Sequence, residues 1–279
     1  MQRLPSSARA AGRLAVPLAA LLLAACAALQ NGADAPIARR VDALLPVDAL
    51  ILGEQHDAPE HHAIERETVE ALASRGQLAA LVLEMADEGT GAVLLGAAAS
   101  ETQVRDSLAW NDKAWPWQRY GPVVMAAVRA GVPVIGGNLP RAKMKNAMAD
   151  VSLDAQLAAD AYAAQQDAVR EGHCKLLPEA QIVPMTRIQV ARDRAMAQAV
   201  VKARQPGKTV LLVTGGGHAT KRLGVPQHLP TDVTVKTVRL QAGEAPAEDR
   251  ASLAAAYDAV WQTPALPPTD YCATLRRTS

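Results

Sequence analysis

The sequence has no phenylalanine, and aromatic residues make up only 3% of its 279 residues. Because 49% of the chain is nevertheless hydrophobic, we expect a core of aliphatic side chains, against which the four tryptophans stand out. The sequence also lacks an excess of charge of either sign, since its net charge is +1. With no basic patch or stripe, the composition gives no indication of nucleic-acid binding.

The N-terminal apolar segment, Leu14–Ala25, is too short to span a membrane, which takes about 20 apolar residues, and it contains Pro17. It follows three arginines without an acidic residue and ends in Leu-Ala-Ala-Cys at residues 23–26. A basic start, a short apolar centre and small residues before the break are typical of a secretory signal. We therefore predict a signal peptide over residues 1–25.

Cys26 gives this signal the form of a bacterial lipobox, in which the thiol accepts a diacylglycerol and the cysteine becomes the new N-terminus. Several acyl chains on one residue, palmitate among them, anchor a protein stably to a membrane. Ala27 rather than Asp follows the cysteine, which favours the outer membrane of the cell envelope. The alternative is an ordinary signal peptide that contains a cysteine.

Two further cysteines, Cys174 and Cys272, follow the lipobox. In an exported protein an even pair is a candidate disulfide, and the alternative is two buried thiols. Residues 26–40 are small and polar, and we interpret them as a lipidated tether. Residues 41–262 are then the folded domain, and residues 263–279 are a proline-rich tail.

Continuous apolar runs predict a parallel sheet that is covered on both faces. The four runs are Asp48–Leu52, Leu78–Leu83, Val132–Gly136 and Thr209–Val213. A fifth run, Val233–Leu240, alternates and is interpreted as an edge strand. The segments near 86–130 and 141–205 are rich in alanine and longer than single crossover helices. The predicted fold is therefore α/β, a mostly parallel sheet with flanking helices and an inserted helical cap.

Polar residues follow each of the four predicted strands. Glu54 and His56 come after the first, Glu84 after the second, Asn138 and Arg141 after the third, and Gly215-Gly216-Gly217-His218 after the fourth. Because the carboxyl ends of parallel strands meet at one edge, where ligands bind, we expect these side chains to form a functional site. A single residue of this kind is more often a helix cap or a satisfied core polar group.

Several stretches together resemble the ChaN family of haem-binding lipoproteins, in a superfamily with the Tiki/TraB proteins and the erythromycin esterases. The resemblance covers about residues 45–240, and no single stretch is decisive. It implies haem or iron acquisition at the cell envelope, with Glu54, His56, Glu84 and His218 as the common superfamily site. The stretches are LGEQHDAPEHH at 52–62, LVLEM at 81–85, WPWQRYGPVV at 115–124, VPVIGGNLPR at 132–141, GHCKLLP at 172–178, ARDRAMA at 191–197, TGGGHA at 214–219 and LGVPQHL at 223–229.

If haem is the ligand, its iron takes His, Tyr, Met or Cys, and a phenolate suits the ferric state. We expect the ligand to be Tyr120, beside three tryptophans that can form an apolar slot, or Tyr162. The alternative is that these tryptophans simply fill the core. His62 and Arg141 are candidates for contacts with the haem propionates, and His173, next to Cys174, is a further candidate.

The sequence leads to two hypotheses of function, a binding protein and an enzyme. The resemblance favours a lipid-anchored haem-binding protein without catalytic activity. Its expected partners are haem and the membrane, and a homodimer is compatible with this function. The alternative is a hydrolase that uses the Glu54, His56, Glu84 and His218 site, with a metal ion or by direct acid and base catalysis. The sequence has no HExxH motif, so the zincin arrangement is excluded as written. It has no nucleophile elbow and no serine at the end of a predicted strand, which argues against a serine hydrolase.

Overall fold

A computed structural model describes residues 35–273 and Arg276. The predicted signal peptide, Cys26 and most of the predicted tether lie outside these residues. Within them, no helix combines the length and the apolar character that crossing a membrane requires.

The described part of the chain contains a six-stranded sheet in the order β3-β2-β4-β1-β5-β6, and every neighbouring pair is parallel. The first four strands are buried along nearly their whole length, which explains their continuous apolar sequences. The predicted α/β fold with a parallel sheet is therefore confirmed. The strands are β1 (Ala49–Glu54), β2 (Leu78–Asp87), β3 (Val134–Asn138), β4 (Thr209–Gly215), β5 (Val235–Ala242) and β6 (Ala259–Thr263).

Three details of the predicted strands differ from the structure. The strand predicted at the edge, β5, pairs with β1 on one side and β6 on the other. The edge strand is β6, a short segment with alternate residues exposed, so its sequence contains no continuous apolar run. Thr263, predicted to begin the tail, is the last residue of β6. In addition, β2 continues to Asp87, so Glu84 lies inside the strand.

Helices cover both faces of the sheet. They are α1 (Ile37–Asp42), α2 (Pro59–Ser74), α3 (Glu101–Ser107), α4 (Trp117–Arg129), α5 (Arg141–Ala149), α6 (Ala159–Gly172), α7 (Glu179–Ala203) and α8 (Ala247–Ala256). The first four pack on one face, where Leu72 and Val124 join Leu50, Leu52 and Leu83 in one core. On the other face, α7 packs Met196 and Val200 against Ile51, Val82 and Leu212. Helices α5 and α6 pack on α7.

The two long insertions therefore lie on opposite faces of the sheet, which differs from the predicted single cap. Helix α4 buries Val123, Val124 and Val128 beside α2, so it belongs to the first layer. Helix α7 runs along the second face for 25 residues. The edge of the sheet between them is left open, and the predicted polar residues lie there.

The C-terminal tail, residues 264–273, follows β6 and contains no strand. A disulfide bond connects it to the end of α6. Cys272 is bonded to Cys174, which lies two residues after the last residue of α6, and the Cα atoms are 5.8 Å apart. The tail therefore joins the edge strand of the sheet to the helices that pack on α7.

Candidate functional site

The carboxyl edge of the sheet carries a pocket of about 610 Å³. All four residues of the predicted site, Glu54, His56, Glu84 and His218, line it. His218 lies in a short 3₁₀-helix, Gly216–Ala219, that follows β4 directly. The pocket also takes in side chains that the sequence did not single out: Asp57, Arg119, Arg192, Arg239 and Tyr271.

Glu54, at the end of β1, is a buried carboxylate at the centre of one half of the site. Its Oε1 accepts hydrogen bonds from Nδ1 of His56 at 2.7 Å and from the hydroxyl of Tyr120 at 2.8 Å. Its Oε2 lies 3.2 Å from Nε2 of His62. Burial alone would raise the pKa of Glu54, but the hydrogen bond with His56 and the adjacent imidazole of His62 lower it to about 2. Glu54 is therefore ionised at neutral pH.

Glu65, on α2, is a second buried carboxyl group next to Glu54. Burial, and then the charge of Glu54, raise the pKa of Glu65 well above its usual value. Neither of its oxygens has a hydrogen-bond partner among the residues that the structure describes. Two carboxylates this close in a buried setting do not both ionise, so Glu65 is the protonated member of the pair.

Glu84 occupies the centre of the other half of the site. Its Oε2 accepts hydrogen bonds from the hydroxyl of Thr214 at 2.6 Å and from the backbone N–H of Gly215 at 2.7 Å, and its Oε1 pairs with Arg192. Burial would raise the pKa of Glu84, but the charges of His218, Arg192 and His56 together lower it below its usual range. Arg192 also donates to Asn138 at 2.9 Å, so it links β2 and β3 to α7.

His218 is held by a buried carboxylate on α7. Its Nδ1 is 2.7 Å from Oδ1 of Asp193, and its Nε2 is 3.7 Å from Oε1 of Glu84. Burial alone would lower the pKa of His218, but the charges of Asp193 and Glu84 outweigh it and raise that pKa. An imidazole fixed at Nδ1 by a carboxylate, with Nε2 towards a pocket, is an arrangement that can accept or donate a proton.

The glycines after β4 give the neighbouring side chains room to approach the backbone. A methyl group at residue 216 would come within 1.4 Å of Nη1 of Arg239, and one at residue 215 within 2.9 Å of Nε2 of His56. The glycine run therefore serves close approach rather than phosphate binding. It places the guanidinium of Arg239 directly against the backbone of Gly216.

Two guanidinium groups at the pocket have no carboxylate partner in residues 35–273. Arg119, on α4, donates to the backbone oxygen of His56 at 3.3 Å. Arg239, on β5, faces Tyr257, and its Nε is buried without a hydrogen-bond partner. Arg192, in contrast, pairs with Glu84 and donates to Asn138. The pocket therefore offers two positive charges to an anionic ligand.

The structure does not place the predicted haem-binding tyrosines at the pocket surface. Tyr120 is only 1% exposed, and its hydroxyl is committed to Glu54. Burial, and then Glu54, raise the pKa of Tyr120, which opposes the phenolate that iron would bind. Tyr162 lies on α6 and donates to Asp154 at 2.5 Å, in a cluster with Arg187 away from the pocket. Neither position favours the predicted role as iron ligand, which stays a prediction.

The other predicted haem contacts also lie elsewhere. His62 is buried against Glu54, and its ring meets that of Tyr120 at 4.8 Å. Arg141 begins α5 outside the pocket, and the arginine that contacts Asn138 is Arg192. His173 ends α6, where its Nδ1 is 2.8 Å from the backbone oxygen of Val169.

The tryptophans pack against one another and against Tyr120 instead of lining an open slot. The rings of Trp110 and Trp117 meet at 5.1 Å, and those of Trp115 and Tyr120 at 5.9 Å. Trp115 also touches His56 edge-on at 4.9 Å. The alternative interpretation of these residues, as core filling, agrees with this packing.

Within residues 35–273 and Arg276, no group of three or more His, Cys, Asp or Glu side chains is arranged to hold a metal ion. The residues that the sequence reasoning missed come from helices and from the tail. Arg192 and Asp193 fall in the ARDRAMA stretch, which carried part of the family resemblance, so that stretch was a usable signal. Tyr271 had no comparable signal.

Comparisons with known proteins agree with this fold. Residues 40–229 match the model of a family described as haem-binding uptake, Tiki superfamily, ChaN. A solved structure described as cofacial heme binding to ChaN of Campylobacter jejuni has the same fold, with a TM-score of 0.63 and 23% identity. The match covers 75% of this chain and 87% of that one. No curated protein matches the chain. The family match extends over more than half of the sequence, and the chain belongs to the ChaN family of haem-binding uptake proteins in the Tiki superfamily.

Proposed function

We propose that this protein is a lipid-anchored carrier that binds haem at the bacterial cell envelope for iron acquisition. The observation that carries the proposal is the pair of guanidinium groups without carboxylate partners, Arg119 and Arg239, at a pocket on the carboxyl edge of the sheet. Haem is a planar macrocycle with two propionates, and arginine is the side chain best suited to binding carboxylates. Membership of a haem-binding family supports the same conclusion.

The residues at the pocket fit haem that is only partly enclosed. Gly217 is exposed, with open space beside its Cα atom, whereas Gly215 and Gly216 are buried against His56 and Arg239. The side chains that line the pocket are polar, so they cannot surround a porphyrin on both faces. Partial enclosure suits a carrier, because the ligand has to be released to the next protein. Bound haem supplies the iron that is taken up, and the protein's own groups bind and orient it.

We further propose that Cys26 anchors the mature protein in the outer membrane. The support is the order of arginines, apolar segment and Leu-Ala-Ala-Cys at the N-terminus. The disulfide is in keeping with export, since such bonds persist in oxidising compartments. A homodimer is part of the same proposal. A half-exposed porphyrin presents an apolar face that a second copy can cover, and cofacial heme binding is the description of the Campylobacter jejuni protein.

The test is a titration of the purified mature protein with ferric haem, followed by the Soret band and by light scattering after gel filtration. We expect saturable binding at one haem per chain and a doubling of mass on binding. A protein that gives no Soret shift at any haem concentration would refute the carrier. Binding without a change in mass would refute only the dimer.

A second function, hydrolysis, is favoured by one observation, the pairing of His218 with Asp193 beside Glu84. This pair could act as a general base towards a water molecule in the pocket. A screen of esters and peptides against wild type and His218→Ala, with and without a chelator, tests it. Turnover that disappears in the variant would support a hydrolase, and equal rates in both proteins would reject it.

A further inference from the structure

We propose, on the basis of hydrolysis as the second function above, that the pocket at the carboxyl edge cleaves small carboxylic esters that carry a separate negative charge, and that Arg239 binds this charge. The lining of the pocket is almost wholly charged or polar. Its volume of about 610 Å³ is typical of a site for a small molecule. The charges on its side chains, and the partners that they already have, decide which molecule fits.

Arg239 carries the positive charge at the pocket that is not offset. Of the three carboxylates that line the pocket, Glu54 and Glu84 each have a histidine or an arginine as a partner. The third, Asp57, lines the same two neighbouring cavities as Arg119, so these opposite charges offset each other. Nε of Arg239 is buried without a hydrogen-bond partner among the described residues. A carboxylate can be bound by this guanidinium through two parallel hydrogen bonds.

Water is the nucleophile that the pocket can supply, because none of the described side chains that line it is a serine, threonine or cysteine. Nε2 of His218 is 3.7 Å from Oε1 of Glu84, so one water molecule can donate a hydrogen bond to each of these atoms. Nδ1 of His218 is 2.7 Å from Oδ1 of Asp193. With the proton of the neutral ring held at Nδ1, Nε2 is left to accept a proton from the water.

His56 is positioned to protonate the leaving group. Its Nδ1 is 2.7 Å from Oε1 of the ionised Glu54, and its side chain is 39% exposed. Burial lowers the pKa of His56, but the hydrogen bond with Glu54 and the charge of Glu84 outweigh burial and raise that pKa. A methyl group at Gly215 would come within 2.9 Å of Nε2 of His56 and 3.6 Å of Oε2 of Glu84. The imidazoles of His56 and His218 therefore both lie beside the carboxylate of Glu84.

The proposed reaction is balanced in atoms and charge. Water loses a proton to Nε2 of His218 while its oxygen bonds to the carbonyl carbon of the ester. The bond from this carbon to the alcohol oxygen then breaks, and that oxygen takes a proton from Nε2 of His56. A proton returns from His218 to His56 through solvent. The products are an alcohol and a carboxylic acid.

The experiment compares two esters of nearly equal size. Monomethyl succinate carries a carboxylate, and methyl levulinate has a neutral methyl ketone in its place. We expect wild type to cleave monomethyl succinate with a kcat/KM roughly tenfold or more above that for methyl levulinate. Arg239→Gln should lose this preference through KM, with kcat nearly unchanged. Arg222→Gln, which changes an exposed arginine outside the pocket, is the matched control and should keep the preference.

Calorimetric titration with succinate separates binding from catalysis. Succinate should bind equally to wild type and His218→Gln, and roughly tenfold more weakly to Arg239→Gln. His218→Gln should lose hydrolysis of both esters, and His56→Gln, at a more exposed site, gives a second test if the first variant does not fold.

The outcomes separate this inference from the functions on which it rests. Equal kcat/KM for the two esters, or a preference that survives in Arg239→Gln, would overturn the anionic substrate while hydrolysis stands. If wild type cleaves neither ester, the inference falls, and the wider screen of esters and peptides decides whether the protein is a hydrolase. The haem titration is independent of both results.

Discussion

The hydroxyl of Tyr120 donates a 2.8 Å hydrogen bond to Oε1 of Glu54, and both side chains are only 1% exposed. This contact ties α4 to the end of β1, beneath the floor of the pocket. Glu54 is ionised, so each hydrogen bond that it accepts offsets part of the free-energy cost of burying its charge. Tyr120 therefore supports the site from below, and its role is structural.

Replacing Tyr120 by Phe should destabilise the fold without weakening haem binding. The change removes a donor from a buried carboxylate, which costs about 1–3 kcal/mol. Urea unfolding of wild type, Tyr120→Phe and Tyr162→Phe measures the effect. Tyr162→Phe, the matched control, should lose less of its free energy of unfolding, because Tyr162 is partly exposed and Asp154 keeps its contact with Arg187. Equal stability of Tyr120→Phe and wild type would contradict the assignment.

Acid should weaken the fold through His61. Its Nδ1 accepts from the backbone N–H of Gln55 at 2.9 Å, so its Nε2 carries the hydrogen and donates to Thr263 at 3.1 Å. Burial lowers the pKa of His61 to about 4, against an unfolded value of 6.5. A base whose pKa is lowered by folding contributes stability above pH 6.5, and this stability is lost as the pH falls towards 4.

The expected loss from His61 is at most about 3.5 kcal/mol, since one pKa unit corresponds to about 1.4 kcal/mol. Urea unfolding at pH 7.5 and pH 5 should show a smaller drop in stability for His61→Gln than for wild type. The pKa of His228 is also lowered to about 4 by burial, so some acid sensitivity should remain in the variant. An identical drop in the two proteins would count against His61.

Arg239 should recognise the haem propionates by charge. Hydrogen bonds to charged groups contribute about 1.5–3 kcal/mol, so Arg239→Gln should bind haem roughly tenfold or more weakly. The dimethyl ester of haem, which lacks both negative charges, is the matched ligand and should bind the two proteins almost equally. Arg119 is more exposed, and Arg119→Gln should have a smaller effect. Equal losses with haem and its ester would show that charge is not what Arg239 recognises.

The disulfide should stabilise the whole domain. It closes a loop of 98 residues, for which chain entropy gives about 4.7 kcal/mol as an upper value. Chemical unfolding of wild type and the double variant Cys174→Ser, Cys272→Ser measures the difference. Mass spectrometry of the unreduced mature protein should find a single peptide pair joined through Cys174 and Cys272. Two free, alkylatable thiols in the native protein would contradict the bond.

Labelling with palmitate tests the anchor. Wild type expressed in bacteria should incorporate label and fractionate with the outer membrane, whereas Cys26→Ala should incorporate none. Cys272→Ser is the control for loss of a cysteine elsewhere and should label normally. Equal labelling of wild type and Cys26→Ala would exclude the lipobox.

The part of the site carried by the strands could be predicted from the apolar runs, whereas the part carried by α7 had only the family resemblance of residues 191–197 as a signal. Glu54, Glu84 and His218 follow buried apolar runs, and the carboxyl ends of parallel strands must meet at one edge. Arg192 and Asp193 reach the same edge from the middle of α7. Which residues of a long helix face a given site depends on how the helix packs, and periodicity alone does not determine this.

The errors in the predicted fold have similar causes. Thr209 was correctly predicted as the start of β4, because its strand is buried on both faces. The edge strand β6 alternates between buried and exposed residues over only five positions, which is too short to distinguish from a loop. Tyr271 has no local signal at all. Its position depends on the disulfide between the next residue, Cys272, and Cys174. It also depends on hydrogen bonds to Gln55 and Asp57, which lie more than 200 residues earlier in the sequence.

The pairing of the central strand has a consequence for how the chain folds. Strand β1 has no contact in the sheet with β2, the strand next in sequence, and lies instead between β4 and β5, where Ala49 pairs with Val210 and Val235. The centre of the sheet therefore cannot form until most of the chain has been synthesised, and folding through such distant contacts is slow. Until residues 209–242 are available, β1 has no strand to pair with, and its apolar residues stay unpaired in the unfolded chain.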